Sequence, residues 1–166
     1  MHPLKKVQLP VCREDDLEDV PPMGRAMAGK TFNIIREHGQ WKNVVQGYLA
    51  ACSFADACVG HVLDALERSR YRDNTIVVLW GDHGYHIGEK DHFSKSALWK
   101  EASRTPLIIH VPGVSRKGGR CKRPVGLVDL YPTLIELCGL PARDDLDGRS
   151  LAPLVRDPGR EWPYPA

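Results

Sequence analysis

Residues Gly81 to Lys95 read Gly-Asp-His-Gly-Tyr-His-Ile-Gly-Glu-Lys-Asp-His-Phe-Ser-Lys, which puts three histidines, two aspartates, a glutamate and two lysines within fifteen positions. A carboxylate next to an imidazole, Asp82–His83, suits a divalent cation. Adjacent side chains on an extended strand point to opposite sides. They can face one ion only if the chain turns, and Gly81 and Gly84 permit that turn. On the residues alone two readings stay open: a metal or catalytic site, and a strand-end turn with a capping Asp82 and a packed His83. Lys95 ends the run, where a cation could bind an anionic substrate group or simply be a solvated surface lysine. His86 and His92 read as supporting or surface residues. His110, inside an apolar run, reads as a hydrogen-bonded core histidine. His38 and His61 carry no signal.

Several elements must position these groups. Thr75-Ile-Val-Val-Leu-Trp80 precedes the cluster. Its unbroken apolarity predicts a strand covered on both faces, as in a parallel sheet. The cluster then sits at the carboxyl end of a buried strand, where open α/β sheets bind ligands. Upstream, apolar residues fall at Val45, Tyr48, Cys52, Ala55, Val59, Val62 and Leu66, in steps of three and four. That is one stripe of a long amphipathic helix over about 41–69. Downstream, the sequence predicts a short helix around Ser96–Ser103, a second buried strand at Pro106–Val111 and a short strand at Val125–Val128. A helix follows from about Leu130 to Cys138, with Asp129 as N-cap, Pro132 in its first turn and Gly139 just past its end. This order predicts an α/β layered architecture. Residues 1–40, broken by Pro3, Pro10, Pro21, Pro22, Gly24 and Gly29, read as an irregular lead-in. Within it, Glu14-Asp15-Asp16 and Glu18-Asp19 read as a solvated acidic segment. The basic, glycine-rich stretch 114–123 reads as a solvated turn.

Composition excludes several classes. The 166 residues are 42% hydrophobic and 27% charged, the balance of a globular domain. A net charge of +2 gives no footprint for nucleic acid or an anionic membrane surface. No apolar run approaches the roughly 18 residues that a membrane span needs. Five scattered cysteines with no CxxC pair argue against a disulfide scaffold and a structural zinc site. There is no GxSxG elbow, P-loop or GxGxxG segment.

The run Gly81–Lys95 and its continuation Ser96-Ala-Leu-Trp-Lys-Glu-Ala-Ser-Arg-Thr-Pro-Leu-Ile-Ile109 resemble the type I sulfatases, in the iduronate-2-sulfatase-like and choline-sulfatase-like branch. Three further segments are similar in the same order: Tyr48 to Leu66, Val128-Asp-Leu-Tyr-Pro-Thr-Leu134 and Asp147-Gly-Arg-Ser-Leu-Ala-Pro-Leu154. The resemblance implies part of an alkaline-phosphatase-like α/β/α sandwich, with buried, mostly parallel strands and flanking helices. Residues 41–156 would be the C-terminal half of the catalytic domain. Residues 157–166 would lead toward a further C-terminal subdomain.

By the same resemblance, Asp82 and His83 match two ligands of the family's active-site cation, usually calcium. Lys95 matches the lysine that contacts the sulfate group. The family's nucleophile is a formylglycine made from a Cys or Ser in a Cys/Ser-x-Pro-Ser-Arg segment. This sequence holds no such segment, so the isolated chain is expected to show no turnover. The implied activity of a full-length parent is hydrolysis of a sulfate ester, carried by a sulfated sugar or a small-molecule sulfate. The family is often exported, so a periplasmic or secreted location is one option for that parent. A phosphodiesterase or phosphonate monoester hydrolase of the same superfamily, some of which use manganese, is the rival enzyme reading; Glu89 to Lys95 favours the sulfatase branch. A non-catalytic fragment is the third reading.

Overall fold

The computed structural model describes residues 2–165. They form two compact units, one of residues up to 69 with 83–105 and the other of 70–82 with those from 106 on.

In the first unit, α1 (Pro22–Met27) and α2 (Lys30–Glu37) lie within the stretch expected to be irregular. Of the prolines there, Pro22 starts a helix rather than breaking one. Pro22 occupies the first helical position, where a missing N–H costs nothing. Gly29, at φ 97°, makes the break between the two helices. Phe32 of α2 is buried and meets Trp41 edge-on at 4.9 Å. The acidic stretch is not merely solvated either. Asp16 pairs with Lys90 at 3.0 Å and also accepts from the Lys90 backbone N–H at 3.2 Å. This bond to Lys90 holds the Asp16 carboxyl below its ordinary value and lifts the Lys90 ammonium. The clamp is therefore complete above the usual carboxylate range and is lost as pH falls through the lowered Asp16 value.

The predicted long helix is present as α3 (Trp41–Glu67). Of its apolar stripe, Val45 is buried, while Val62 is 69% exposed. By length and composition alone α3 is apolar enough to cross a membrane, although no single apolar run is that long. The core helix of a globular protein has the same properties.

The strand after α3 is β1 (Val77–Trp80), in the second unit. The first unit resumes with a hairpin, β2 (His86–Ile87) and β3 (Phe93–Ser94), paired His86↔Ser94 and Ile87↔Phe93. The predicted short helix is α4 (Lys100–Ser103).

In the second unit β1 pairs with β4 (Leu107–His110) in antiparallel register from Val77↔His110 to Trp80↔Leu107. Among the described residues, both two-stranded sheets are antiparallel, not parallel as expected. Leu79, Trp80 and Ile108 are exposed, so neither strand is covered on both faces here. His110 is exposed on its strand and bonds Ser115 Oγ at 3.2 Å; it is not a core histidine. The strand expected at 125–128 is replaced at Leu127–Asp129 by a tight turn of 3₁₀ helix that runs into α5 (Leu130–Leu137). The last helix is α6 (Ala152–Arg156).

Asp129 does not cap α5 with its side chain. It is buried, and its carboxylate accepts the Gly126 N–H at 3.0 Å and the Arg149 N–H at 2.8 Å. Thr133 Oγ1 donates to the Asp129 carbonyl at 2.5 Å and accepts the Leu151 N–H at 2.7 Å. These bonds tie the loop before α6 to the start of α5. Asp129→Ala would leave two N–H groups without their acceptor and should destabilise by about 2–4 kcal/mol. A shift in the urea midpoint of the full-length gene product measures this; an unchanged midpoint would show that water replaces the carboxylate.

Candidate functional site

The expected site residues divide between the two units, whose boundary falls between Asp82 and His83. Asp82 closes the second unit's stretch after β1. Its carboxylate is exposed, and the Gly81 N–H before it donates to the Pro106 carbonyl at 3.1 Å.

His83 opens the first unit's site segment. It is half-buried, and its Nδ1 lies 2.7 Å from the Gly84 carbonyl. A carbonyl can only accept, so Nδ1 carries a hydrogen, and in the neutral ring Nε2 then carries the lone pair. A metal-bound imidazole takes this form, its other N–H donated to a carbonyl. A carboxylate and an imidazole nitrogen are donor types that a hard or borderline cation accepts. They are two donors, however, and calcium takes roughly 6–8. Among the described residues there is no cluster of three or more His, Cys, Asp or Glu side chains able to hold a metal.

Gly84 is required here by close approach. Its N–H donates to the Ala102 carbonyl at 2.7 Å, and a Cβ at this position would run into the Glu101 carbonyl and meet the Arg104 carbonyl at 2.9 Å. The segment after His83 is thereby seated on the end of α4. Tyr85 then stacks on Tyr48 of α3 at 5.2 Å and meets Phe93 of β3 edge-on at 5.7 Å. Trp41 Nε1 donates to the Ile87 carbonyl at 2.6 Å. The long helix thus carries the hairpin on its aromatic residues.

Lys95 follows β3 directly, with an exposed side chain. Its flanking residues Ser94 and Ser96 have φ of 97° and 71°; with Lys90 at 55° and Asp91 at 47°, they are the non-glycine residues of positive φ among the described residues. Each such residue costs on the order of 1–3 kcal/mol and persists only where its surroundings enforce it. All four lie within the segment that ends beside Lys95. Behind it, His92 Nε2 bonds the Lys95 carbonyl at 3.0 Å. His86 is fully buried, so it is neither a surface residue nor an incidental one. Of the two readings open for these histidines, supporting or surface, burial removes the second for His86. The available signal was their placement at either end of a six-residue step within one cluster, which a short hairpin brings together.

The family model for sulfatases matches residues 10–140. A sulfatase from Formosa agariphila is 42% identical over 160 residues, covering 94% of this chain and 31% of its own length. Human arylsulfatase K is 34% identical over 113 residues, 68% of this chain and 21% of that protein. Among solved structures, one described as a complex with its substrate D-glucosamine-2-N,6-O-disulfate aligns with a TM-score of 0.69 at 28% identity, over 76% of this chain and 28% of that one. A phosphonate monoester hydrolase from Silicibacter pomeroyi aligns with a TM-score of 0.78 at 25% identity, over 92% and 32%. The chain therefore shares the alkaline-phosphatase-like α/β fold of these hydrolases, and it spans less than a third of the length of each of these four proteins.

Proposed function

The chain belongs to the sulfatase family, and on that premise we propose that its gene product hydrolyses sulfate esters. The observation that carries this reading is the family match across 10–140, which includes the whole run from Asp82 to Lys95. Lys95 holds the sulfate group: its ammonium, exposed and flanked by two left-handed serines, offsets the negative charge on the non-bridging oxygens as the ester bond breaks. Such preorganised charge is the largest single contribution in many hydrolases. Asp82 and His83 lend a carboxylate and an imidazole Nε2 to a divalent cation, calcium by resemblance, and the remaining donors come from outside this pair. Such an ion, when bound, polarises the sulfate and favours the deprotonated nucleophile. No residue among the 166 is assigned as the nucleophile, because no Cys or Ser lies in a formylglycine-forming segment. A sulfated sugar is the finer reading of the substrate, supported by the disulfated glucosamine bound to a structural relative.

The likeness to the phosphonate monoester hydrolase favours a second reading, hydrolysis of phosphonate monoesters or phosphodiesters. An assay of the full-length gene product on an aryl sulfate, an aryl phosphonate and an aryl phosphodiester separates the two. The sulfate ester is expected to give the highest kcat/KM. A phosphonate or phosphodiester preference would overturn the sulfatase reading.

A further inference from the structure

We propose that His92 is a positioning residue for Lys95, held in place by the buried ring of His86; the inference rests on the reading of Lys95 as the sulfate-contacting cation. His92 and Lys95 bracket the two residues of β3. His92 Nε2 lies 3.0 Å from the Lys95 carbonyl, so Nε2 carries the hydrogen and donates it. That bond spans β3 and fixes the main chain from which the lysine side chain departs.

The His92 ring is itself confined. His86 meets it edge-on at 5.1 Å and 88°, and Trp99 lies 6.1 Å away. His86 and Trp99 are 5.6 Å apart, which closes a cage of three rings. His86 has no exposed surface, its Nδ1 donates to the Glu89 carbonyl at 3.0 Å, and its Nε2 is buried without a partner. A phenylalanine or leucine would fill that space without orphaning a nitrogen. The imidazole adds one bond that they cannot make, the Nδ1–H to Glu89, which closes the turn between β2 and β3. The two histidines therefore act in series. His86 shapes the turn and walls in His92, and His92 holds the Lys95 carbonyl against the left-handed strain at Ser94 and Ser96.

The test is a mutant cycle in the full-length gene product with an aryl sulfate. His92→Phe keeps the ring and removes the N–H. It should lower kcat roughly 10–100-fold with KM nearly unchanged, since about an ångström of misplacement has effects of this size. His92→Gln, which presents a donor at a similar reach, should recover most of the loss. In a Lys95→Ala background His92→Phe should add less than about a twofold change, the non-additivity of two residues acting as one. A further tenfold loss in that background, or equal loss in the Phe and Gln variants, would overturn the proposal. Ser96→Gly relaxes the strain without removing packing and should lower kcat in the same way; if His92→Phe does not fold, an unchanged kcat in Ser96→Gly overturns the proposal. An inactive wild type would count against the sulfatase reading alone. Positioning would then be judged by amide hydrogen exchange: faster exchange confined to 93–97 in His92→Phe supports it, and unchanged exchange refutes it.

Discussion

Lys95→Ala in the full-length gene product is expected to lower kcat on a sulfate ester by roughly 10²–10³-fold, the range for removal of one preorganised charge-stabilising donor. The fold should survive. The side chain is exposed, and exposed substitutions of this kind change stability by only about 0.5 kcal/mol. Lys95→Arg should rescue little, because a planar fork replaces a compact ammonium and cannot occupy the same point. The measurement is initial-rate sulfate release, with circular dichroism melts of wild type and variants as the folding control. Turnover within threefold of wild type would take Lys95 out of the site.

The second large effect concerns the 166 residues expressed alone. Large apolar side chains stand exposed in both units: Phe54 and Val62 on α3, Trp80 on β1 and Ile108 on β4. Burying one such side chain is worth about 1.5–3 kcal/mol, so a handful equals the whole net stability of an ordinary domain, about 5–15 kcal/mol. β1 and β4 also present open edges on which another strand can add. The purified chain is therefore expected to aggregate, or to melt over a broad range while binding a hydrophobic dye. A sharp, reversible, two-state melt of a monomer would refute this and would require a core that closes on itself.

Periodicity placed α3, unbroken apolarity placed β1 and β4, and the end signals Asp129, Pro132 and Gly139 framed α5. The same patterns were silent on partners. An unbroken Val77–Trp80 run reports burial on two faces, and both parallel and antiparallel pairing satisfy it, so the antiparallel register with Leu107–His110 was not legible. The helices α1 and α2 were hidden because Pro21-Pro22 reads as a breaker unless Pro22 is recognised at a helix start. At the site, Asp82, His83 and Lys95 stood out by chemistry and by resemblance. His86 and His92 did not, because their roles depend on a two-residue hairpin register that sequence spacing alone does not specify.

The route of the chain has a kinetic consequence. Residues 83–105 leave the second unit and return to it between β1 and β4. The two strands can zip only when the ends of that excursion are brought together, and closing a flexible loop of about 25 residues costs roughly 3 kcal/mol of chain entropy by length scaling alone. The β2–β3 hairpin is local and can form within microseconds. If it and α4 form first, they shorten the free span and ease the closure. Order of assembly then runs from the segment that carries Lys95 outward to the strand pair Trp80↔Leu107. A substitution that loosens the turn between β2 and β3 would then slow the pairing of β1 with β4, and would lengthen the time their bare edges are open to other chains.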